Sequence, residues 1–262
     1  MKVLIKDFVS YKKTISEVLE EAQLHLFIKN QKQILIKPNL TLAKAPPTTT
    51  PVELIKELVK FLKKYSRAKI IIAEGSGGDD TERAFEFLGY TQLAKNYQLE
   101  LVDLNKAKRI LKENPRAKKL KKVTLPKIAF ESFIINVPVL KEHDAAKLTA
   151  AMKNVFGFYL NREFIDKMGG ILDKTLLQHG WWNKSELHFL GVNETIFDLN
   201  NYIKFSFNLV DGSVGQRGNE IDGLPCSPVL RKIIAGENPQ EVDSACVKIL
   251  GIDPKKVKYL NM

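Results

Sequence analysis

Three short stretches gather the residue types that hold or transform a small anion. Lys37-Pro38-Asn39 closes an apolar run and opens a Pro- and Thr-rich loop, APPTTTP, that ends where a helix begins. In an open α/β sheet, ligands collect beyond the carboxyl ends of the strands, and helix N-termini offer free N–H groups to anions. A lysine to neutralise charge and an asparagine to orient the ligand suit a carboxylate or phosphate there. The same residues also suit plain structural duty, with Pro38 ending a strand, Asn39 turning the chain and the threonines capping. The second stretch, Glu74-Gly75-Ser76-Gly77-Gly78-Asp79, is a glycine-rich turn after the next apolar run. Its glycines let backbone amides approach a phosphate, and Ser76 adds a hydroxyl. It is neither a P-loop nor a full GxGxxG, so an ordinary strand-to-helix turn explains it too.

The third stretch, FIINVPVLKEHDAAKLTAAMKNVFGFY at residues 133–159, is the richest. A buried strand leads to Lys141, His143 and Asp144, and the alanine-rich segment after it predicts a helix from about Ala145 to Phe156. That helix would stack Thr149 and Lys153 on one face and bring Lys141 and His143 to its positive end, where an anion is favoured. Lys153 would then lie roughly 12–15 Å further along at 1.5 Å per residue, so both ends could touch one extended ligand but not each other. Lys141, Thr149 and Asn154 are candidate contacts to a ligand or cofactor. His143 is a candidate metal ligand or acid–base group, and Lys153, if enclosed, a candidate base or nucleophile. Against this stands a histidine that merely caps a turn and a lysine that reaches solvent.

Other polar residues divide between chemistry and scaffold. Asp198 and Asp211 sit at the margins of expected elements, where turn duty accounts for them as well as metal ligation. Asp243 lies beside the apolar stripe of the last helix, so its carboxylate should be partly buried and needs a cationic, amide or metal partner; with His143 it is a candidate metal ligand. His179 and His188 flank WWNKSE and could add an imidazole. Cys226 and Cys246 show no CxxC pairing and no zinc or iron–sulfur spacing, so no iron–sulfur cluster is expected, and ordinary thiols fit a reducing compartment.

The elements that must position these groups follow from alternation of short β-branched runs with helix-period segments. This is the rhythm of βα units around a largely parallel sheet flanked by helices. Strands are predicted at Gln33–Lys37, Lys69–Glu74, Glu100–Leu104, Phe133–Val137, Phe205–Val210 and Leu230–Ala235. Capping-box spacing marks three helix starts, Thr14 with Glu17, Thr50 with Glu53 and Asn238 with Glu241, the last two followed by Pro51 and Pro239. Ile55, Leu58, Val59 and Leu62 share one helix face, as do Val242, Cys246, Ile249 and Leu250. A single α/β domain is expected over 1–262, with room for two lobes and a boundary within 158–194.

The chain has 262 residues and 44% hydrophobic content, enough for a large core without disulfide or metal staples. Its net charge of +11 is carried by residues 1–160, with 29 basic and 17 acidic residues. In 106–127, ten of 22 residues are Lys or Arg and Glu113 alone is acidic, a density that could attract nucleic acid or an acidic partner. That segment lacks the interleaved aromatics that stack on bases and fits a solvated insertion better. The N-terminus meets charges too early for a signal peptide, and no apolar run reaches membrane-spanning length, which points to the cytoplasm and away from a membrane.

Taken in order, IKPNL, the Thr-Pro helix start, AEGSGG, INVPVLKEH, LTAAMKNVFG, IFDLN, LVDG and AGENPQEVDSACVKILGIDP resemble the domain of unknown function family 362 almost end to end. That resemblance implies an α/β fold and a site in these motifs, without an established activity. Relatives with added ferredoxin modules carry cysteines that this chain lacks. Residues 133–157 also resemble, more distantly, the nickel-pincer lactate racemase family, in which a histidine ten residues before a lysine marks the site and the lysine holds a nucleotide-derived cofactor. His143 and Lys153 have that spacing. Alanines replace that family's glycine-rich helix start, and Gly77 or Gly78 stands where it has a histidine, so shared ancestry and a shared cleft are implied more than a shared reaction.

The expected function is therefore binding of a small anion, bearing phosphate or carboxylate, or of a divalent metal or nucleotide-derived cofactor. Lys37, Asn39, Ser76, Lys141, His143, Thr149, Lys153 and Asn154 are its candidate contacts. Two alternatives stand beside it: a non-enzymatic protein binding nucleic acid or an acidic partner through 106–127, and an accessory protein in metal-cofactor or electron-transfer pathways.

Overall fold

A computed structural model describes residues 2–159 and 184–262. In chain order the elements are β1 (Leu4–Asp7), α1 (Tyr11–Glu21), α2 (Leu24–Ile28), β2 (Gln33–Pro38), α3 (Val52–Tyr65), β3 (Lys69–Glu74), α4 (Thr81–Phe87), α5 (Tyr90–Tyr97) and β4 (Glu100–Asp103). Then come β5 (Arg109–Glu113), β6 (Lys122–Pro126), β7 (Phe133–Val137), β8 (Val139–His143) and β9 (Lys147–Thr149). The last are α6 (Ser185–Tyr202), β10 (Phe207–Arg217), β11 (Leu224–Pro225), β12 (Lys232–Gly236) and α7 (Pro239–Leu250).

The central sheet runs β1-β12-β10-β7-β2-β3-β4. From β10 to β4 every neighbouring pair is parallel, while β12 and β1 add antiparallel strands at one edge. This is the mixed, mostly parallel α/β sheet that the alternating pattern predicts. The strands read as unbroken apolar runs because both faces are covered. Ile34 and Ile36 of β2, with Ile70 and Ile72 of β3, face a core shared with α1 and α3. Leu35, Ile71 and Ala73 face the opposite core, closed by α6 and α7.

Strand order reverses at β2. The chain moves outward through β3 and β4, then returns to place β7 on the other side of β2. Such a reversal leaves a crevice at the carboxyl ends of the two central strands, because the connections leaving them diverge. β8 continues β7 along the far half of β10 and folds back on β9, with Lys141 opposite Thr149.

Several local expectations need correction. No helix spans 145–156. A tight turn, β9 and a 3₁₀ segment, Lys153–Phe158, occupy it instead. The backbone groups a helix would have used find other partners: His143 Nδ1 accepts from the Ala145 and Ala146 amides, Asp243 from those of Ala151 and Met152, and Asn136 donates to the Ala151 carbonyl. Lys147 sits at φ 66°, outside the helical region. Local side-chain bonds of this kind compete directly with helix formation.

Two of the three expected caps are replaced. α1 starts earlier, with Ser10 accepting from the Lys13 amide, while Thr14 accepts from Val9. α3 has no side-chain cap, because Thr50 instead accepts from the Asn39 amide and donates to the Val137 carbonyl. Asn238 caps α7 as expected, with Pro239 following. The expected strand Phe205–Val210 is shifted and extended into β10. The basic stretch forms the β5–β6 hairpin, whose Val123 and Leu125 are buried and whose turn is held by Asp198 accepting from the amides of Lys118, Lys119 and Leu120. Most of the expected lobe boundary, 158–194, and His179 lie outside the described residues. Among the described residues, no helix is long and apolar enough to cross a membrane.

Candidate functional site

A cleft of about 280 Å³ opens at the crevice between β2 and β7. Its walls come from the loops after β2 and β3 (Asn39, Thr41, Glu74, Gly75, Gly77 and Gly78) and from the β8–β9 hairpin (Lys141, His143 and Thr149). Lys153, Asn154 and Phe156 of the 3₁₀ segment, Lys184 and His188 around the start of α6, and Glu220 after β10 complete it.

The floor is a neutralised polar layer. Lys37, fully buried, places its ammonium 2.6 Å from Glu74 Oε1 and donates to the Pro38 carbonyl. Glu74 also accepts from the amides of Gly75 and Leu40. Burial lowers the Lys37 pKa, and the Glu74 charge opposes that shift. Gly157 is required here because a Cβ would lie 2.4 Å from both Glu74 Oε1 and Lys37 Cε. A line of amides crosses the strand ends: Asn39 donates to Asn154, Asn154 to Asn136, and Asn136 to Asn208. Asn154 also donates to the carbonyls of Lys37 and Pro38, tying the 3₁₀ segment to β2.

Above the floor the charge is unbalanced. Lys141 donates to the carbonyls of Thr48 and Glu220, with no carboxylate bound to its ammonium among the described residues. Burial, and then the charge of Lys153, lower its pKa to about 7. Lys184 donates to Asn105 and the Tyr159 carbonyl, and burial followed by the charge of Arg109 brings it to about 7. Lys153 has no hydrogen-bond partner among the described residues. Its ammonium lies 3.7 Å from the centre of the Phe156 ring, and burial lowers it to about 7 against the opposing pull of Glu220. Thr149, buried and directly across the hairpin from Lys141, has a hydroxyl without a partner among the described residues. Unmet buried polar groups are uncommon and costly to the fold.

His143 is held as a neutral donor. Its Nδ1 accepts from two backbone amides at 3.1 Å, which puts the ring proton on Nε2, 3.4 Å from Glu220 Oε1. Burial, then the charge of Lys153, drive its pKa well down. The ring of His188 stacks on it at 5.6 Å and is itself lowered to about 4 by burial and Lys153. Glu220 accepts in turn from the Asp144 amide.

The hairpin thus brings together His143 and Lys153, which a helix would have held apart. Lys141, Thr149, Asn154 and Asn39 join them, whereas Lys37 is buried in the floor, paired with Glu74. Ser76 is turned away, donating to the Leu40 carbonyl. Asp243 lies outside the cleft, accepting from Ala151, Met152 and the Tyr259 hydroxyl; burial raises its carboxyl to about 7 while these donors oppose the shift. Asp211 likewise meets Tyr11 and Ser213. Glu74, Lys184 and Glu220 also line the cleft, beyond the contacts expected from the sequence. Glu74 had a signal, since it ends the strand beside the one that Lys37 ends, but Glu220 and Lys184 arrive only through the tertiary fold.

The family model described as "Domain of unknown function (DUF362)" matches residues 34–248. The chain belongs to this family. Every cleft residue named above falls inside the matched span. Among solved structures, one described as the lactate racemase apoprotein from Thermoanaerobacterium thermosaccharolyticum is similar at a TM-score of 0.50 and 16% identity. The match covers 94% of this chain and 56% of that one, so this family member spans little more than half its length. The likeness is one of fold. Comparison with curated proteins gives no match.

The sequence raises the expectation of a metal held by His143 and Asp243. With two amides donating to Nδ1 and a proton on Nε2, His143 has no open lone pair for a metal. Among the described residues, no group of three His, Cys, Asp or Glu could hold a metal ion. The donor set does not fit a metal held by His143 and Asp243, since His143 lines the cleft and Asp243 lies outside it.

Proposed function

We propose that the cleft binds a small organic anion, bearing a carboxylate or phosphate, and that Lys153 with the His143–Glu220 pair handles protons on it. The observation that carries this is the set of three lysines, Lys141, Lys153 and Lys184, lining one cleft with no carboxylate bound to any of their ammonium groups among the described residues. Burial lowers all three to about 7, helped at Lys141 by the charge of Lys153 and at Lys184 by that of Arg109, so an arriving anion is stabilised by charge-assisted hydrogen bonds and draws protons onto them. Thr149 supplies a neutral donor, Asn39 orients the ligand, and His143 offers its Nε2 proton with Glu220 as acceptor. An enzyme of this build performs acid–base chemistry on a bound acid, because a lysine near pKa 7 is divided between base and acid at neutral pH. The β5–β6 hairpin, folded onto α6, leaves the cleft as the better-supported site.

Calorimetric titration with inorganic phosphate tests this. Saturable binding is expected, weakened about tenfold or more by Lys153→Met, with proton uptake near neutral pH. Affinity should fall from pH 6 to pH 9 as the lysines lose their protons. Absence of saturable binding, or equal binding by Lys153→Met, would contradict the proposal.

A further inference from the structure

We infer that the cleft takes an aldehyde or ketone carrying a carboxylate or phosphate, and that Lys153 joins its carbonyl carbon as an imine. This rests on the anion-binding function proposed above and assigns the substrate class. Three features of the geometry support it. The Lys153 amine lines the cleft, lies against the Phe156 ring and is bound to no oxygen among the described residues, so once unprotonated it is not tied up by a hydrogen-bond partner there. The Thr149 hydroxyl, without a partner among the described residues, and the remaining N–H of Lys141, neighbours across the β8–β9 hairpin, form an anchor for the ligand's charged group on the same cleft wall. The His143 Nε2 proton and the Glu220 carboxylate stand on the same wall as a donor and an acceptor.

The chemistry balances without an added reagent. The unprotonated amine attacks the carbonyl carbon, forming the C–N bond, while the carbonyl π-electron pair moves to oxygen, which takes up a proton from solvent. The nitrogen of the resulting carbinolamine loses its extra proton to the Glu220 carboxylate, which passes it to the hydroxyl; the C–O bond then breaks, water departs and the iminium remains. Hydrolysis by the reverse path restores the free lysine. Burial favours the unprotonated, nucleophilic form of Lys153, against the opposing charge of Glu220.

Glyoxylate, the smallest aldehyde with a carboxylate, is the probe, with sodium cyanoborohydride to reduce any imine and peptide mass spectrometry to locate it. A single carboxymethyl adduct on Lys153 is expected at probe concentrations that leave the surface lysines unmodified, at least tenfold faster at pH 8 than on any exposed lysine. Inorganic phosphate should protect it, and Lys153→Arg should abolish it. Thr149→Val, which keeps the amine, should slow it severalfold, giving a check that does not depend on the folding of the arginine variant. Adducts spread over surface lysines, or no adduct on Lys153, would overturn the inference. Phosphate binding is measured in parallel on the same protein. If phosphate binds and no imine forms, only this inference fails; if neither occurs, the anion-binding function fails with it.

Discussion

Thr149 is the residue at which stability and function part most clearly. A buried hydroxyl without a partner gains nothing for the fold and loses its hydration, at a cost of about 1–3 kcal/mol in protein settings. Thr149→Val keeps the shape and removes that cost. Urea unfolding should show the variant as stable as the parent or up to about 1 kcal/mol more stable, while phosphate affinity falls severalfold. A loss of stability with unchanged affinity would make Thr149 a structural residue. At this scale, much of the site was legible: His143, Lys153, Lys141, Thr149, Asn154 and Asn39 stand out as polar residues embedded in apolar runs. Glu220 and Lys184 do not, because nothing in their own neighbourhoods sets them apart, and only the return of β10 and the entry of α6 bring them to the cleft.

Among the elements, the segment from 144 to 158 was the least legible. Its alanines and spacing favour a helix when only local propensity is weighed. The fold overrides that preference because Asp243 on α7, Asn136 on β7 and His143 bind its backbone groups from outside. Asp243 is thus a positioning residue for Lys153: it fixes the amides of Ala151 and Met152, immediately before the lysine. Asp243→Ala leaves two buried amides and the Tyr259 hydroxyl unmet, a loss on the order of 2–5 kcal/mol from hydrogen bonds to a buried acceptor. Chemical unfolding should register that loss, and the surviving folded fraction should bind phosphate more weakly than the parent does. Unaltered stability and affinity would show that the turn holds itself. The strands, by contrast, were legible because burial on both faces writes them as continuous apolar runs. Their boundaries moved where the run ended in polar residues that nevertheless pair, as in the far half of β10. The caps at Thr14 and Thr50 misled because a threonine beside a helix start has other bonds open to it, and at Thr50 the sheet takes both.

For the molecule as a whole, the order of strands decides where chemistry can sit. Reversal at β2 opens the crevice, and the connections out of β2, β3, β7 and β10 deliver three lysines, two histidines and two glutamates to its walls. Sequence alone indicated the class of fold and the carboxyl ends of the strands as the place to look, but it held no record of which crossovers diverge. Two of the three cleft lysines, Lys141 and Lys153, belong to the positively charged stretch 1–160, and burial lowers the pKa of both. The most direct measurement is a carbon-13 NMR titration of the lysine ε-carbons, assigned by single Lys→Arg substitutions and run with and without phosphate. Lys141, Lys153 and Lys184 should titrate near pH 7 in the free protein, and phosphate should move all three upward. Ordinary titration near 10.5 at Lys153, unmoved by phosphate, would contradict the account.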